Sequence, residues 1–179
     1  MKVSSAALSV GQQVPQPPDS AIASLYRAHA VELIRLALLL LGDQHTAEDV
    51  VQDAFLGLHT GIGRLRDPGK ALPYLRASVV NGCRSVQRRR DRVVLTGTDP
   101  EQAPVWSAES AAIADEAQRA VLTAVAALPQ RAREVLALRY FLDLPEREIA
   151  AMLGVSRSTV SSTASRALDA LASKLEEQK

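Results

Sequence analysis

The sequence predicts an all-α fold, two small helical domains joined by a flexible linker, the second containing a helix-turn-helix. Three observations predict it. Apolar residues recur at helical spacing in two long blocks, and no stretch alternates convincingly with period two. Between the blocks, the segment GTDPEQAP carries the Gly and Pro residues that break helices. Aromatic residues make up only 3% of the chain while Ala and Leu abound, a composition that suits helices packed on helices.

In chain order, residues 1–20 contain PQPPDS and little apolar periodicity, and read as a disordered N-terminal tail. Residues 21–92 form the first helical domain, residues 93–110 an acidic linker, and residues 111–179 the second domain. The net charge of +1 conceals a strong polarisation. Residues 21–63 sum to −3, residues 64–92 to +7 and residues 93–118 to −5. One basic block in a near-neutral chain points to a localised contact with a polyanion. The single cysteine, Cys83, excludes an intramolecular disulfide framework and fits a reducing compartment. The N-terminus lacks the apolar core of a signal peptide, and the apolar run Leu36–Leu41 is too short to cross a bilayer. A cytoplasmic protein without membrane insertion is expected.

Within the first domain, the segment 47–58 divides into two sides at the helical spacing of about 100° per residue. Val50, Val51, Ala54 and Leu58 gather as a core stripe, and Asp49, Gln52, Asp53 and Leu56 gather opposite. Such an acidic face is either solvated or a docking surface for a basic partner. Leu56 among the carboxylates favours docking, because solvation gains nothing from it. In the segment 71–90, Pro73 suits a first helical turn. Leu72, Leu75, Val79, Cys83 and Val86 form its apolar side, with Cys83 a core residue rather than a nucleophile. Tyr74, Ala77, Asn81, Arg84 and Arg88 form the other side. A ring that can stack on an unpaired base, an amide that can bond a base edge and two guanidiniums for phosphates describe a nucleic-acid surface. The preceding loop adds Arg64, Arg66 and Lys70.

In the second domain, EREIAAMLGVSRSTVSSTASRAL reads as helix, tight turn, helix. Ile149, Ala150 and Leu153 face inward, Gly154 makes the turn and Ser156 caps the second helix. Small side chains at Ala150 and Gly154 are expected to let the two helices cross closely. Val160, Ala164, Ala167, Leu168, Leu171 and Leu175 make a continuous apolar stripe. Opposite lie Ser158, Ser162, Ser165 and Arg166, with Thr159 at the edge and Arg157 at the helix start. This layout sends the second helix into a DNA major groove.

With these segments in place, the chain resembles RNA polymerase sigma factors of the extracytoplasmic-function (ECF) type from Ala21 to Leu175. The resemblance is carried by LYRAH, HTAEDVVQDAFLGLH and YLRASVVNGCRSVQRRR in the first domain and LPQRAREVLALRYFLDLPEREIAAMLGVSRSTVSS in the second. YLRASVVNGCRS looks especially like actinobacterial, SigE-like members. The resemblance implies binding to core RNA polymerase, through its β′ clamp and β subunit, and to promoter DNA. Asp49, Gln52, Asp53 and Leu56 would meet the clamp. Arg64, Arg66, Lys70, Tyr74, Asn81, Arg84 and Arg88 would bind and help melt the minus-ten element. Arg157, Ser158, Thr159, Ser162, Ser165 and Arg166 would contact the minus-thirty-five element. The linker, with Asp99, Glu101 and Glu109, would run in the basic nucleic-acid channel until RNA displaces it. An anti-sigma factor is a further implied partner.

Two departures stand out. Tyr74 occupies a place where family members often carry Trp, and Ser161-Ser162-Thr163 follow Val160 where many carry Lys or Arg. The minus-thirty-five contact is therefore expected to be hydroxyl-rich and modest, with affinity supplied by tethering both domains to polymerase. Trp106, the single tryptophan, is expected to dock on a domain or a partner rather than stay wet. A helix-turn-helix regulator acting without polymerase is the alternative, but it leaves the faces of the first domain unexplained. Enzymatic chemistry is not expected. His29, His45 and His59 share no metal-ligand spacing, no phosphate-cradling glycine loop is present, and no metal or cofactor is called for.

Overall fold

A computed structural model describes residues 18–61, 67–95 and 116–176, and these contain helices and no strand. In chain order they are α1 (Pro18–Leu41), α2 (Gln44–Gly61), a 3-10 turn (Pro68–Lys70), α3 (Ala71–Leu95), α4 (Glu116–Ala126), α5 (Gln130–Leu136), a π-helical segment (Ala137–Phe141), α6 (Glu146–Leu153) and α7 (Arg157–Glu176). Helix α1 begins at Pro18, inside the expected tail, because proline lacks only an N–H that the first turn does not use. Helix α3 runs to Leu95, past the expected domain end at residue 92. The linker residues 96–110, with Asp99, Glu101, Trp106 and Glu109, lie outside the described residues, as do residues 1–17.

Helices α1, α2 and α3 form the first bundle. Leu33, Leu36, Ala37, Leu40 and Leu41 of α1 are buried, and so are Val50, Val51, Ala54 and Leu58, the expected stripe of α2. Tyr26 meets Phe55 edge to face, with ring centroids 5.0 Å apart. Helix α1 stops at Gly42, whose φ of 73° is left-handed and whose N–H bonds the Leu38 carbonyl at 2.8 Å. Asp43 then caps α2, accepting the Thr46 N–H at 2.8 Å and the Thr46 hydroxyl. The bonds from Thr46 hold the Asp43 carboxyl below its ordinary range. On α3, Leu75, Val79, Val80 and Cys83 are buried, while Leu72 and Val86 are half-buried. Burial pushes the Cys83 thiol up to about 12, which leaves it inert.

The second block, α4 to α7, does not stand apart from the first. One apolar cluster runs from Ala30, Leu36 and Val80 through Val135, Leu138 and Ile149 to Val160 and Ala164. Polar joints reinforce it at the end of α1. The Leu40 carbonyl, one of the four that a helix end leaves without an intrahelical partner, accepts Gln87 Nε2 and Arg133 Nη1, each at 2.8 Å. Within the first bundle, Arg90 Nη1 donates to the neighbouring Leu41 carbonyl at 3.1 Å.

The α2–α3 packing depends on Gly82. A Cβ built there would stand 2.7 Å from Val50 Cγ1, so the two helices approach at a distance no side chain permits. Gly82→Ala is expected to destabilise the protein by about 1–3 kcal/mol through overpacking. In a denaturant titration, Val50→Ala added to Gly82→Ala should recover part of that loss.

Candidate nucleic-acid and polymerase interface

Three candidate faces are set out on this scaffold. On α2, Asp49, Gln52, Asp53 and Leu56 are all exposed on the side away from the core, and Leu56 retains 61% of its surface. Asp49 lies 3.3 Å from His45, one turn earlier. The His45 pKa is raised, first by a hydrogen bond with its own backbone and then by the Asp49 charge.

On α3, the sequence places Tyr74, Ala77, Asn81, Arg84 and Arg88 on one open side. The structure divides that side. Tyr74, Asn81 and Arg88 are exposed, and Lys70 is exposed at the end of the 3-10 turn before them. Ala77 and Arg84 are half-buried because the second block lies against them. Arg84 donates through Nε and Nη2 to the two carboxylate oxygens of Glu134, at 2.8 and 2.6 Å. That hydrogen bonding raises the Arg84 pKa further. Arg64 and Arg66 lie outside the described residues. Between α2 and α3 a groove of about 410 Å³ brings Asp49 and Asp53 opposite Tyr74, Ser85 and Arg89, so the acidic and basic faces border one cleft.

The third face is the helix-turn-helix formed by α6 and α7. Ile149, Ala150 and Leu153 are buried on α6, and Val160, Ala164 and Ala167 on α7. Ser156 caps α7, its Oγ accepting the Thr159 N–H at 3.1 Å and meeting the Ser158 and Thr159 hydroxyls at 2.8 Å. Arg157, Ser158, Thr159, Ser162, Ser165 and Arg166 are all exposed along one side of α7. Two readings need correction. Leu168, expected in the apolar stripe, is 41% exposed and borders an apolar groove with Tyr140 and Phe141. Gly154 is required for its φ of 67°, not for close helix crossing, since a Cβ there would meet nothing within 4 Å.

Sequence reasoning passed over Glu134. It is 2% exposed and is the single buried charged residue among those described. Besides Arg84, its carboxylate accepts Gln130 Nε2 at 3.0 Å and Arg131 Nη1 at 3.2 Å. Arg131 also donates to the Leu153 carbonyl at 3.3 Å, at the end of α6. One carboxylate thus ties α3, α5 and the helix-turn-helix together. Its position one turn before the core residue Leu138 was the available signal, because a carboxylate on an apolar stripe needs a partner. The partner, fifty residues earlier, could not be read from spacing. Among the described residues no group of side chains could hold a metal, and no helix is long and apolar enough to cross a membrane.

An all-helical scaffold with a basic helix and an exposed helix-turn-helix defines a class of DNA-binding transcription proteins, and comparison with known proteins narrows it. Residues 25–93 match Sigma-70 region 2, and residues 118–171 match Sigma-70, region 4. The chain is 33% identical to the ECF RNA polymerase sigma factor SigM of Mycobacterium tuberculosis over 148 residues, 83% of this chain and 74% of SigM. It is 31% identical to RfaY of Xanthomonas campestris, named a probable RNA polymerase sigma factor, over 74% of this chain. It spans only 34% of RfaY, and 52% of the M. tuberculosis relative SigI. The fold matches the sigma factor RpoE of Bartonella quintana, solved with the anti-sigma factor NepR, with a TM-score of 0.72 at 21% identity over 88% of this chain and 98% of that one. The chain belongs to the ECF family of RNA polymerase sigma factors.

Gly154→Ala should cost about 1–2 kcal/mol, the cost of a left-handed residue bearing a Cβ. Gly154→Asn should cost less, because Asn tolerates this conformation. Thermal or denaturant unfolding of the two variants checks the order.

Proposed function

We propose that this protein binds core RNA polymerase and directs it to promoters, contributing binding energy that captures an unpaired promoter strand. The observation that carries this reading is the coexistence, on one scaffold of this family, of an acidic face bearing exposed Leu56, an aromatic and basic helix, and an exposed helix-turn-helix. A helix-turn-helix regulator needs only the last of these.

In this reading residues 21–92 act as the region 2 unit, residues 93–110 as an acidic linker and residues 111–179 as the region 4 unit. Asp49, Gln52, Asp53 and Leu56 dock on the β′ clamp, and the chain also contacts the β subunit. Tyr74 stacks on an unpaired base, Asn81 bonds a base edge, and Lys70, Arg84 and Arg88, with Arg64 and Arg66, neutralise phosphates of the minus-ten element. Helix α7 contacts the minus-thirty-five element through Ser158, Thr159, Ser162 and Ser165, flanked by Arg157 and Arg166. Arg166 Nε is bonded to the Ser162 carbonyl of its own helix at 3.2 Å, which limits its reach. With so few cations on α7, tethering through polymerase supplies much of the effective affinity. No chemical step falls to this chain.

The same reading places the protein in the cytoplasm, with core polymerase and promoter DNA as partners. An anti-sigma factor joins them by likeness to the solved RpoE complex. Placement in a SigE-like subgroup rests on YLRASVVNGCRS alone.

Co-purification with core RNA polymerase tests the proposal. The wild-type chain should bind stoichiometrically, and the Asp49→Arg, Asp53→Arg double variant should lose at least tenfold in affinity, on the order of 1.4 kcal/mol or more. Failure of the wild type to bind core, together with specific binding to duplex DNA, would make the protein a conventional helix-turn-helix regulator.

A further inference from the structure

Arg84 lies on the promoter-facing helix of the preceding reading, yet its guanidinium is already occupied. It grips Glu134 through two parallel hydrogen bonds of 2.8 and 2.6 Å. This fork is the geometry with which arginine binds either a carboxylate or a phosphate, and one guanidinium edge cannot serve both at once. The Arg84 side chain is 19% exposed and that of Glu134 3%. No strand of nucleic acid can reach this edge of Arg84 while Glu134 holds it.

Beside the shared apolar core, parts of the seam are polar or open. A second polar contact crosses it, from Arg133 to the Leu40 carbonyl at 2.8 Å. Towards the start of α3 the two blocks leave a cleft of about 310 Å³, with Pro73 and Ala77 on one wall and Glu148 and Met152 on the other. Arg131, the second cation on Glu134, belongs to the same helix as Glu134, so it stays with the carboxylate when the blocks separate. Arg84 alone is released.

We infer that Glu134 is an intramolecular stand-in for promoter phosphate, holding Arg84 of α3 in the closed chain and freeing it for nucleic acid when the second block swings away. Closure and strand capture then compete for one side chain, and free protein is kept from binding single strands on its own. The inference rests on the promoter-binding reading of α3, but its test needs no polymerase.

The experiment measures binding of the full chain to a fluorescent single-stranded deoxyoligonucleotide of mixed sequence by anisotropy, across a salt series. Glu134→Gln should bind several-fold more tightly than wild type, with a salt slope steeper by about 0.7, the signature of one added phosphate contact to a single strand. Adding Arg84→Gln to Glu134→Gln should abolish both gains. Glu176→Gln makes the same change of charge at an exposed position and should gain little. Glu134→Asp keeps the charge but withdraws the carboxylate by one methylene, so it should gain in the same direction even if Glu134→Gln folds poorly. Wild-type affinity in both Glu134 variants overturns the inference, as does a gain that survives loss of Arg84 or is matched by Glu176→Gln. A chain that gains oligonucleotide affinity as expected but never joins core polymerase would refute the proposed function and leave the competition at Arg84 intact.

Discussion

A carboxylate with 2% of its surface exposed sits where the two halves of this protein meet, and much of the architecture follows from keeping it satisfied. An ionised group in such a place is tolerated only when it is paired and its lone pairs are filled. Glu134 meets the condition with four donors from Arg84, Gln130 and Arg131. Because Arg84 comes from α3 and Arg131 also bonds the end of α6, the arrangement fixes α5 against the first bundle and the helix-turn-helix against α5. Removing one partner of a buried pair typically costs about 3–5 kcal/mol, through the charge left behind. Here the two guanidiniums keep contact with water, at 19% and 43% exposure, so opening the seam offers a relief that a fully enclosed pair lacks.

The apolar core and the charged seam have different duties. Leu138, Ile149 and Val160 are fully buried in the same cluster as Leu33, Leu36 and Val80, which gives the closed form its stability. Hydrophobic burial is non-directional, however, and does not choose one register of the blocks over another. The directional contacts between the blocks choose it: the fork of Arg84 on Glu134, and the Leu40 carbonyl held by Arg133. The fork draws its arginine, Arg84, from the most basic part of the sequence. The Arg84 charge proposed to meet a polyanion is also the charge that ties α3 to the second block. The helix-turn-helix is not constrained in this way, and its hydroxyl-rich side stays open in the closed chain.

The sequence displayed the parts governed by local rules. The stripe Val50, Val51, Ala54 and Leu58, the inward residues Ile149, Ala150 and Leu153, and the Ser156 cap all follow from periodicity or from the chemistry of a helix end. The parts that escaped depend on distant neighbours. Leu168 has the right spacing for the core, but among the described residues no element covers it beyond the edge of the Tyr140–Phe141 groove. Arg84 has the right spacing for an open face, but a glutamate fifty residues away claims it. Gly82 escaped the sequence reading, because its contact with Val50 at a distance forbidden to a Cβ appears only once α2 and α3 are laid together.

If the inferred competition at Arg84 operates within the proposed function, the free protein is closed across the Arg84–Glu134 seam and separates its halves on polymerase. The most direct test places probes at Lys70→Cys and Ala172→Cys, both exposed and on opposite halves, while buried Cys83 stays unlabelled. The distance distribution between them is then measured by pulsed electron spin resonance, with and without core RNA polymerase. The account predicts one narrow distribution in the free chain that moves to longer distances when core is added. A broad distribution in the free protein, or a narrow one that core leaves unchanged, would contradict it.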